Sequence, residues 1–345
     1  MTINIPKNAS ILVSRTDSIG DVILTIPLTY TLKKLFPENK IVFLCTSYTY
    51  PILKNIATID EIIDYNEISK LPKKNQKDII QKYNIHTAII AYPSYEISQF
   101  LFQLKIPYRI ATSHRWYNWI FCNQLVSFSR KNSDLHEAQL NFHLLKPLGI
   151  SNLPSLAELK EMFLIKPISP LNISIQSLLD NNKIKIILHP KSKGSAREWG
   201  IKNFINLINI LDKSKFQIIL TGTNNELPEL KPIIEQCPDV LNLAGKTSLD
   251  ELIALINECD ALIAASTGTL HIAAMLGKHA IGIFPPIRPM HPGRWAPIGK
   301  NTHIFCKNTI CNDCRKQPQQ CHCIQEIQPS EIVSLLNRIF ASHRI

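Results

Sequence analysis

Glycine is scarce in this chain, at 11 of 345 residues, and nowhere do the glycines form G-x-G-x-x-G or G-x-x-x-x-G-K-[ST]. Dinucleotide redox chemistry and P-loop hydrolysis both need such a run to bring backbone close to phosphate, so both are poorly supported. Long apolar runs are also missing. No stretch reaches the ~18 uncharged residues that a membrane span requires. The opening segment, "MTINIPKNAS", has no basic n-region, apolar h-region or cleavage site, and a cytoplasmic protein is expected. Helix-turn-helix, zinc-finger, RNP and KH signatures are absent, which disfavours nucleic acid as a partner. The wealth of Ile, Lys and Asn is a compositional habit rather than a functional signal.

Acidic residues are outnumbered, 27 against 38 Lys and Arg, for a net charge of +11. Such an excess suits an anionic lipid or a phosphorylated substrate, and it equally suits general solubility. The length points to two domains, because single cores stop growing near ~250–300 residues. Short apolar runs at 10–15, 40–45, 86–92 and 108–112 alternate with helical patterns at 21–36, 75–83 and 134–146. After a poorly patterned, Pro-containing stretch near 165–180 a second series begins. Its strands are expected at 183–190, 216–222, 240–245, 260–266 and 279–285, with helices at 201–213, 226–237, 248–258 and 267–277. Strands this apolar fit parallel sheets covered on both faces. The expected fold is α/β: two doubly wound, Rossmann-like domains, 1–170 and 171–345, facing a cleft. A closing helix at 328–345 is left free to pack on either domain. Ligands of such sheets bind at the carboxyl ends of the strands, so the loops there are read for chemistry.

The loop after the first strand reads Ser18-Ile19-Gly20-Asp21. A capping box explains it, with Ser18 accepting from a backbone N–H and Asp21 reaching back. A general base explains it too, because a helix N-terminus keeps Asp21 ionised and Gly20 admits a substrate closely. In the second series, "LHPKSKGSAREWG" gathers Lys191, Ser192, Lys193, Ser195 and Arg197, donors suited to a diphosphate. "STGTLH" places Ser266, Thr267, Gly268 and His271 at a helix start, where free N–H groups hold anions. Glu226 follows the second strand of that series and suits a ribose diol, or simply faces solvent. Each of these loops also has a bland reading as a solvated or packed segment.

Nine cysteines in a cytoplasmic protein should be mostly reduced, and five crowd into 306–323. Cys311, Cys314, Cys321 and Cys323, beside His322, have the chemistry of a structural zinc site. Local disulfides or free thiols remain the alternatives.

Taken in order, "ILVSRTDSIGDVILTIPLTYTLKKLFP", "ILHPKSKGSAREWGIKNF", "NLAGKTSLDELIALINECDALIAASTGTLHIAAMLGK" and "RWAPIG" resemble the lipopolysaccharide heptosyltransferases of glycosyltransferase family 9. The resemblance runs over nearly the whole chain. It implies a GT-B fold, with the acceptor on the N-terminal domain and the nucleotide sugar on the C-terminal one. It further implies an inverting, metal-independent transfer of a heptose from ADP-heptose to the inner core of lipid A-linked saccharide. No cofactor is implied. The general base falls on Asp21. Donor contacts fall on Lys191, Ser192, Lys193, Arg197, Glu226, Ser266, Thr267, Gly268 and His271. Acceptor contacts are expected from Ser18, Gly20, Lys70, Lys73, Lys74 and Arg115, with Arg130 and Lys131 as further cations. Trp116, Trp119 and Phe121 suit a bilayer interface, in keeping with a peripheral place on the inner membrane. One departure stands out: the family's Asp-Thr-Gly is Ser266-Thr267-Gly268 here, which leaves the donor sugar open. Two alternatives follow, a GT-B enzyme with another nucleotide sugar and a non-catalytic protein that binds anionic saccharide.

Overall fold

The computed structural model describes residues 2–131, 133–192, 194, 196–288, 290–309 and 322–341. The chain divides into two compact units, residues 1–167 and 168–345. In the first, β1 (Ser10–Ser14), β2 (Lys40–Cys45), β3 (Glu61–Asp64), β4 (Ile85–Ile90), β5 (Tyr108–Thr112) and β6 (Gln124–Val126) form one sheet. Their order is β3-β2-β1-β4-β5-β6, and each pairing is parallel. β1, "SILVS", is buried at all five positions, as a central strand covered on both faces must be. The chain leaves β1 toward β2 on one side and returns to β4 on the other, so the sheet's switch point lies between β1 and β4. At such a point the flanking loops diverge and leave a crevice at the strands' carboxyl ends.

The helical pattern expected over 21–36 is two helices, Ile19–Ile23 and Ile26–Leu35. Pro27, in the first turn of the second, lacks an N–H and so starts a helix more readily than it continues one. The first helix is thus a single turn hung directly on the end of β1. The helix Glu137–Phe142 opens with a capping box between His136 and Gln139 and buries five of its six residues.

The second unit repeats the same path. β7 (Ile184–His189), β8 (Phe216–Leu220), β9 (Leu241–Asn242), β10 (Ala261–Ala265), β11 (His279–Phe284) and β12 (Thr302–Cys306) lie in the order β12-β11-β10-β7-β8-β9, again parallel throughout. Its switch point lies between β7 and β10. The helix Gly268–Met275, which follows β10, is held closely from two sides. A Cβ on Gly282 would stand 2.9 Å from Leu270, and one on Gly299 would stand 2.2 Å from the Ala274 carbonyl oxygen.

The helix Pro329–Ile339 carries Pro in its first turn and a capping box between Gln328 and Glu331. Its Ile332, Leu335 and Leu336 enter the core of the second unit with Trp199, Phe204 and Leu207. The Trp199 indole N–H donates to the Ile327 carbonyl at 2.9 Å, so the loop after β7 and the C-terminal helix are fastened to each other. No helix among the described residues is long and apolar enough to cross a membrane.

Candidate active site

The carboxyl end of β1 is built around a buried cation. Arg15 is 3% exposed, and a guanidinium there must be surrounded by acceptors. Its Nε and Nη2 donate to the two Asp17 carboxylate oxygens at 2.7 and 2.9 Å. Nη2 also donates to Asp21 Oδ1. Nη1 donates to Asn141 Oδ1 at 3.4 Å and lies 3.5 Å from Glu137 Oε1. Tyr92, in the loop after β4, lies under the guanidinium at 5.9 Å.

Asp21 is therefore not the second half of a capping box. Ser18 holds the N-cap position of helix Ile19–Ile23 but makes no side-chain cap bond, because the Asp21 carboxylate is turned to Arg15 instead. A charge-assisted bond to a buried guanidinium outweighs one to a solvent-facing backbone N–H. Burial drives the Asp21 carboxyl upward, Arg15 opposes this, and the negative Asp17 and Glu137 add to it. The outcome is a carboxyl pushed up to about 6. Such a group is ionised at neutral pH yet holds a proton far better than an ordinary aspartate, which is what general-base work asks for.

The other acceptor-side candidates lie away from this cluster. Lys70 is exposed and pairs with Glu67 at 2.8 Å. Lys73 and Lys74 are exposed at the start of the helix Lys73–Lys82, which links β3 to β4. Arg115 is exposed in the loop after β5, beside Tyr117. Arg130 corrects the sequence reading. It is turned inward, where Nε donates to Glu137 Oε1 at 2.9 Å and Nη2 to Asn141 Oδ1 at 3.0 Å and the Ala91 carbonyl at 3.2 Å. Lys131 remains exposed.

In the second unit the loops after β7 and β10 flank the switch point, since β7 and β10 are paired neighbours. Lys191, Ser192 and Arg197 come from the first loop, and Ser266, Thr267, Gly268 and His271 from the second. Lys193 and Ser195 lie outside the described residues. Lys191 and Ser192 are not the open donors their spacing suggested. Lys191 Nζ binds Glu198 Oε2 at 2.5 Å and also pairs with Glu229. The Ser192 N–H and Oγ each donate to Glu198 Oε1 at 3.1 Å. Burial works against the lysine's charge, but the two carboxylates outweigh it and hold Lys191 above its usual value.

Thr267 caps helix Gly268–Met275 by position only, without a side-chain bond. Its Oγ1 lies 2.9 Å from Thr269 Oγ1, and Ser266 is half-buried beside it. His271 is buried in the first turn of that helix. Glu226 is also buried rather than solvent-facing, and its Oε2 accepts the Thr223 N–H at 2.7 Å, closing its own turn.

Arg15, Asp17, Glu137 and Asn141 in the first unit, and Glu198 and Glu229 in the second, were not singled out in sequence. The first pair stands in "SRTDSIGD", where an arginine and an extra acid follow an apolar strand. Glu137 and Asn141, four residues apart, share one face of an otherwise buried helix. Of the proposed zinc ligands, Cys311, Cys314 and Cys321 lie outside the described residues. Cys323 is half-buried near Cys306, and no group of three metal-ligating side chains occurs among the described residues.

The profile of glycosyltransferase family 9 (heptosyltransferase) matches residues 96–325. The chain belongs to this family. It is therefore a glycosyltransferase, and the reading as a binding protein without activity falls away. It is 28% identical over 309 residues to a Haemophilus influenzae protein named as a glycosyltransferase, covering 86% of this chain and 88% of that one. It is 23% identical over 325 residues to lipooligosaccharide heptosyltransferase 2 of Campylobacter jejuni, covering 91% and 93%. Among solved structures, the family 9 glycosyl transferase of Veillonella parvula superposes with a TM-score of 0.76 at 18% identity, covering 97% and 98%. The Escherichia coli ADP-heptose heptosyltransferase II gives 0.74 at 18%, covering 96% and 98%. These superpositions place the pair of parallel six-stranded sheets in the GT-B class.

A carboxyl whose proton affinity rises on folding favours the native state at low pH and loses that advantage as pH climbs through its folded value. Asp21 should therefore weigh increasingly against folding between about pH 4, the ordinary aspartate range, and pH 7. The melting temperature of Asp21→Asn relative to wild type is expected to rise steadily over that interval. A difference that falls with pH would show Asp21 to be a stabilised, ordinary ion pair.

Proposed function

We propose that this glycosyltransferase moves a heptose from an ADP-activated donor to the inner core of lipid A-linked saccharide in one inverting displacement. The observation that carries the reading is Asp21, a partly buried carboxylate with raised proton affinity at the switch point of the first sheet. In this reading Asp21 removes the proton of the acceptor hydroxyl as that oxygen attacks the anomeric carbon. The anomeric C–O bond to phosphate breaks, and ADP departs with the bonding pair. Charge on the departing diphosphate is met by Arg197, by Lys191 once it exchanges Glu198 for phosphate, and by the N–H groups opening helix Gly268–Met275. These groups do the work often given to a divalent cation, and the proposed step uses no metal. Ser18 and Gly20 flank the acceptor hydroxyl, and Lys70, Lys73, Lys74 and Arg115 offer charge to more distant anionic groups of the acceptor.

Ser266 favours a second reading, a different nucleotide sugar. A serine hydroxyl accepts hydrogen bonds from a sugar less strongly than the family's carboxylate, and polar partners of this kind decide sugar identity. Support for the nucleotide comes from solved relatives, one of which is an E. coli heptosyltransferase with ADP.

Asp21→Asn is expected to lower transfer from ADP-heptose by about 10²–10⁴-fold, while ADP continues to raise the melting temperature of the variant as it does that of wild type. Transfer at the wild-type rate would remove Asp21 from the chemistry. A thermal shift with UDP, GDP or CMP but not with ADP would redirect the donor assignment.

The acceptor's lipid places the work at a membrane surface. Trp116 and Trp119 are 69% and 67% exposed, and Trp116, Tyr95, Phe121 and Phe102 form a continuous aromatic strip with ring spacings of 5.4–6.2 Å. Amphipathic rings beside Arg115 suit the headgroup region of an anionic bilayer. Wild type should sediment with phosphatidylglycerol-containing vesicles, and replacement of Trp116 and Trp119 by Ser should weaken this severalfold without altering the fold. Equal sedimentation of both forms would assign the strip elsewhere.

A further inference from the structure

Three carboxylates, Asp17, Asp21 and Glu137, share two guanidiniums, Arg15 and Arg130. The donors of Arg15 are fully accounted for: one on Nε to Asp17, two on Nη2 to Asp17 and Asp21, and two on Nη1 toward Asn141 and Glu137. Any partner that pulls on Arg15 therefore does so at the expense of another. Glu137 is 1% exposed, and its Oε1 is placed between Arg15 Nη1 and Arg130 Nε. Asn141, one turn further along the same helix, accepts from both guanidiniums through Oδ1. Its Nδ2 donates to the Leu24 carbonyl at 3.3 Å and to Thr25 Oγ1 at 3.2 Å. Thr25 Oγ1 in turn donates to the Asp21 carbonyl at 2.8 Å. The helix Glu137–Phe142 thus grips the end of the short helix that carries Asp21 and also the cation that faces its side chain.

We infer that Glu137 and Arg130 are positioning residues for the transfer reaction: by competing for one another and for Arg15, they decide how much of the Arg15 charge reaches Asp21. Among the described residues, the charged groups that act on Asp21 are Arg15, Asp17 and Glu137. Arg15 comes from the exit of β1, Asp17 from the loop that follows, and Glu137 from its helix, with Arg130 behind it and Tyr92 on the open face of Arg15. Glu137 is buried, and the two residues reach Asp21 through Arg15 and Asn141. A purely structural ion pair would have no reason to link to Asp21 by both side-chain and backbone routes, and a solitary Arg15–Asp21 pair would hold the carboxylate as a weak base. Glu137 draws the guanidinium back from that extreme, and Arg130 keeps Glu137 from taking it altogether.

The two residues should act in opposite directions. Glu137→Gln removes a negative charge and frees Arg15 for Asp21, which makes Asp21 the weaker base. The acid limb of kcat/KM should move to lower pH, by about half a unit or more. Arg130→Met removes a positive charge and leaves Glu137 to Arg15, and the limb should move to higher pH. A role in stability alone lowers yield or melting temperature in both variants without moving the limb in opposite senses.

The inference rests on Asp21 as the base, and the experiment separates the two ideas. The Asp21 carboxyl is titrated by ¹³C NMR in wild type and in both variants, its resonance identified by its loss in Asp21→Asn, alongside the pH dependence of transfer. Opposite displacements of the Asp21 titration support the network. An Asp21 titration unchanged in both variants overturns it. Displaced titrations together with full transfer by Asp21→Asn would uphold the network and remove the base. Should Glu137→Gln fail to fold, Arg130→Met, whose side chain is partly exposed, decides alone by moving the titration upward or leaving it in place.

Discussion

Burying Arg15 at the end of β1 is the constraint on which the first unit's site depends. A guanidinium with almost no exposed surface needs acceptors on every donor, and this one draws them from three parts of the chain. Asp17 and Asp21 come from the loop and helix immediately after the strand. Glu137 and Asn141 come from a helix more than a hundred residues later. The cluster is therefore assembled by tertiary folding, although Asp21 and Arg15 stand six residues apart in sequence. Burial costs favour the neutral form of Asp21, the guanidinium favours the charged form, and the neighbouring carboxylates tilt the balance to a carboxyl near 6. Three acids for two cations is an arrangement a purely structural cluster would not need, since each unmatched buried charge weakens folding.

The second unit solves a different problem with the same topology. Its switch point is flanked by the loops after β7 and β10, which carry Lys191, Ser192, Arg197 and a helix N-terminus without a side-chain cap. Glu198 and Glu229 pair with Lys191, and Glu198 also accepts from Ser192. The two carboxylates keep the buried Lys191 paired, and Trp199, next in sequence to Glu198, anchors the loop through its bond to Ile327. The Arg15 cluster and the Lys191–Glu198 cluster thus belong to separate units of one chain.

Much of this was legible in sequence, for reasons that differ from residue to residue. Central strands such as β1 and β10 are unbroken apolar runs because both faces are covered, so periodicity found them. Of the four edge strands, β3, β6 and β12 are partly exposed, and their mixed polarity hid them. Asp21 and the 191–197 and 266–271 loops stood out because unusual polar residues follow apolar strands. What those side chains touch did not stand out. The Ser18–Asp21 spacing fits a capping box, and only the long-range arrival of Glu137 and Asn141 around Arg15 shows why Asp21 turns the other way. Likewise Lys191 reads as an open donor because Glu229 approaches it from a different segment, and Ser192 because the turn that returns Glu198 to it has no sequence signature.

The most direct test of the account is the anomeric configuration of the transferred sugar. Single-turnover reaction of ADP-heptose with a lipid A-linked acceptor, followed by NMR of the product linkage, should show inversion at the anomeric carbon, as attack by an acceptor oxygen deprotonated by Asp21 requires. Retention would require either two displacements or attack from the face of the departing phosphate, and would contradict the single inverting displacement in which Asp21 serves as base.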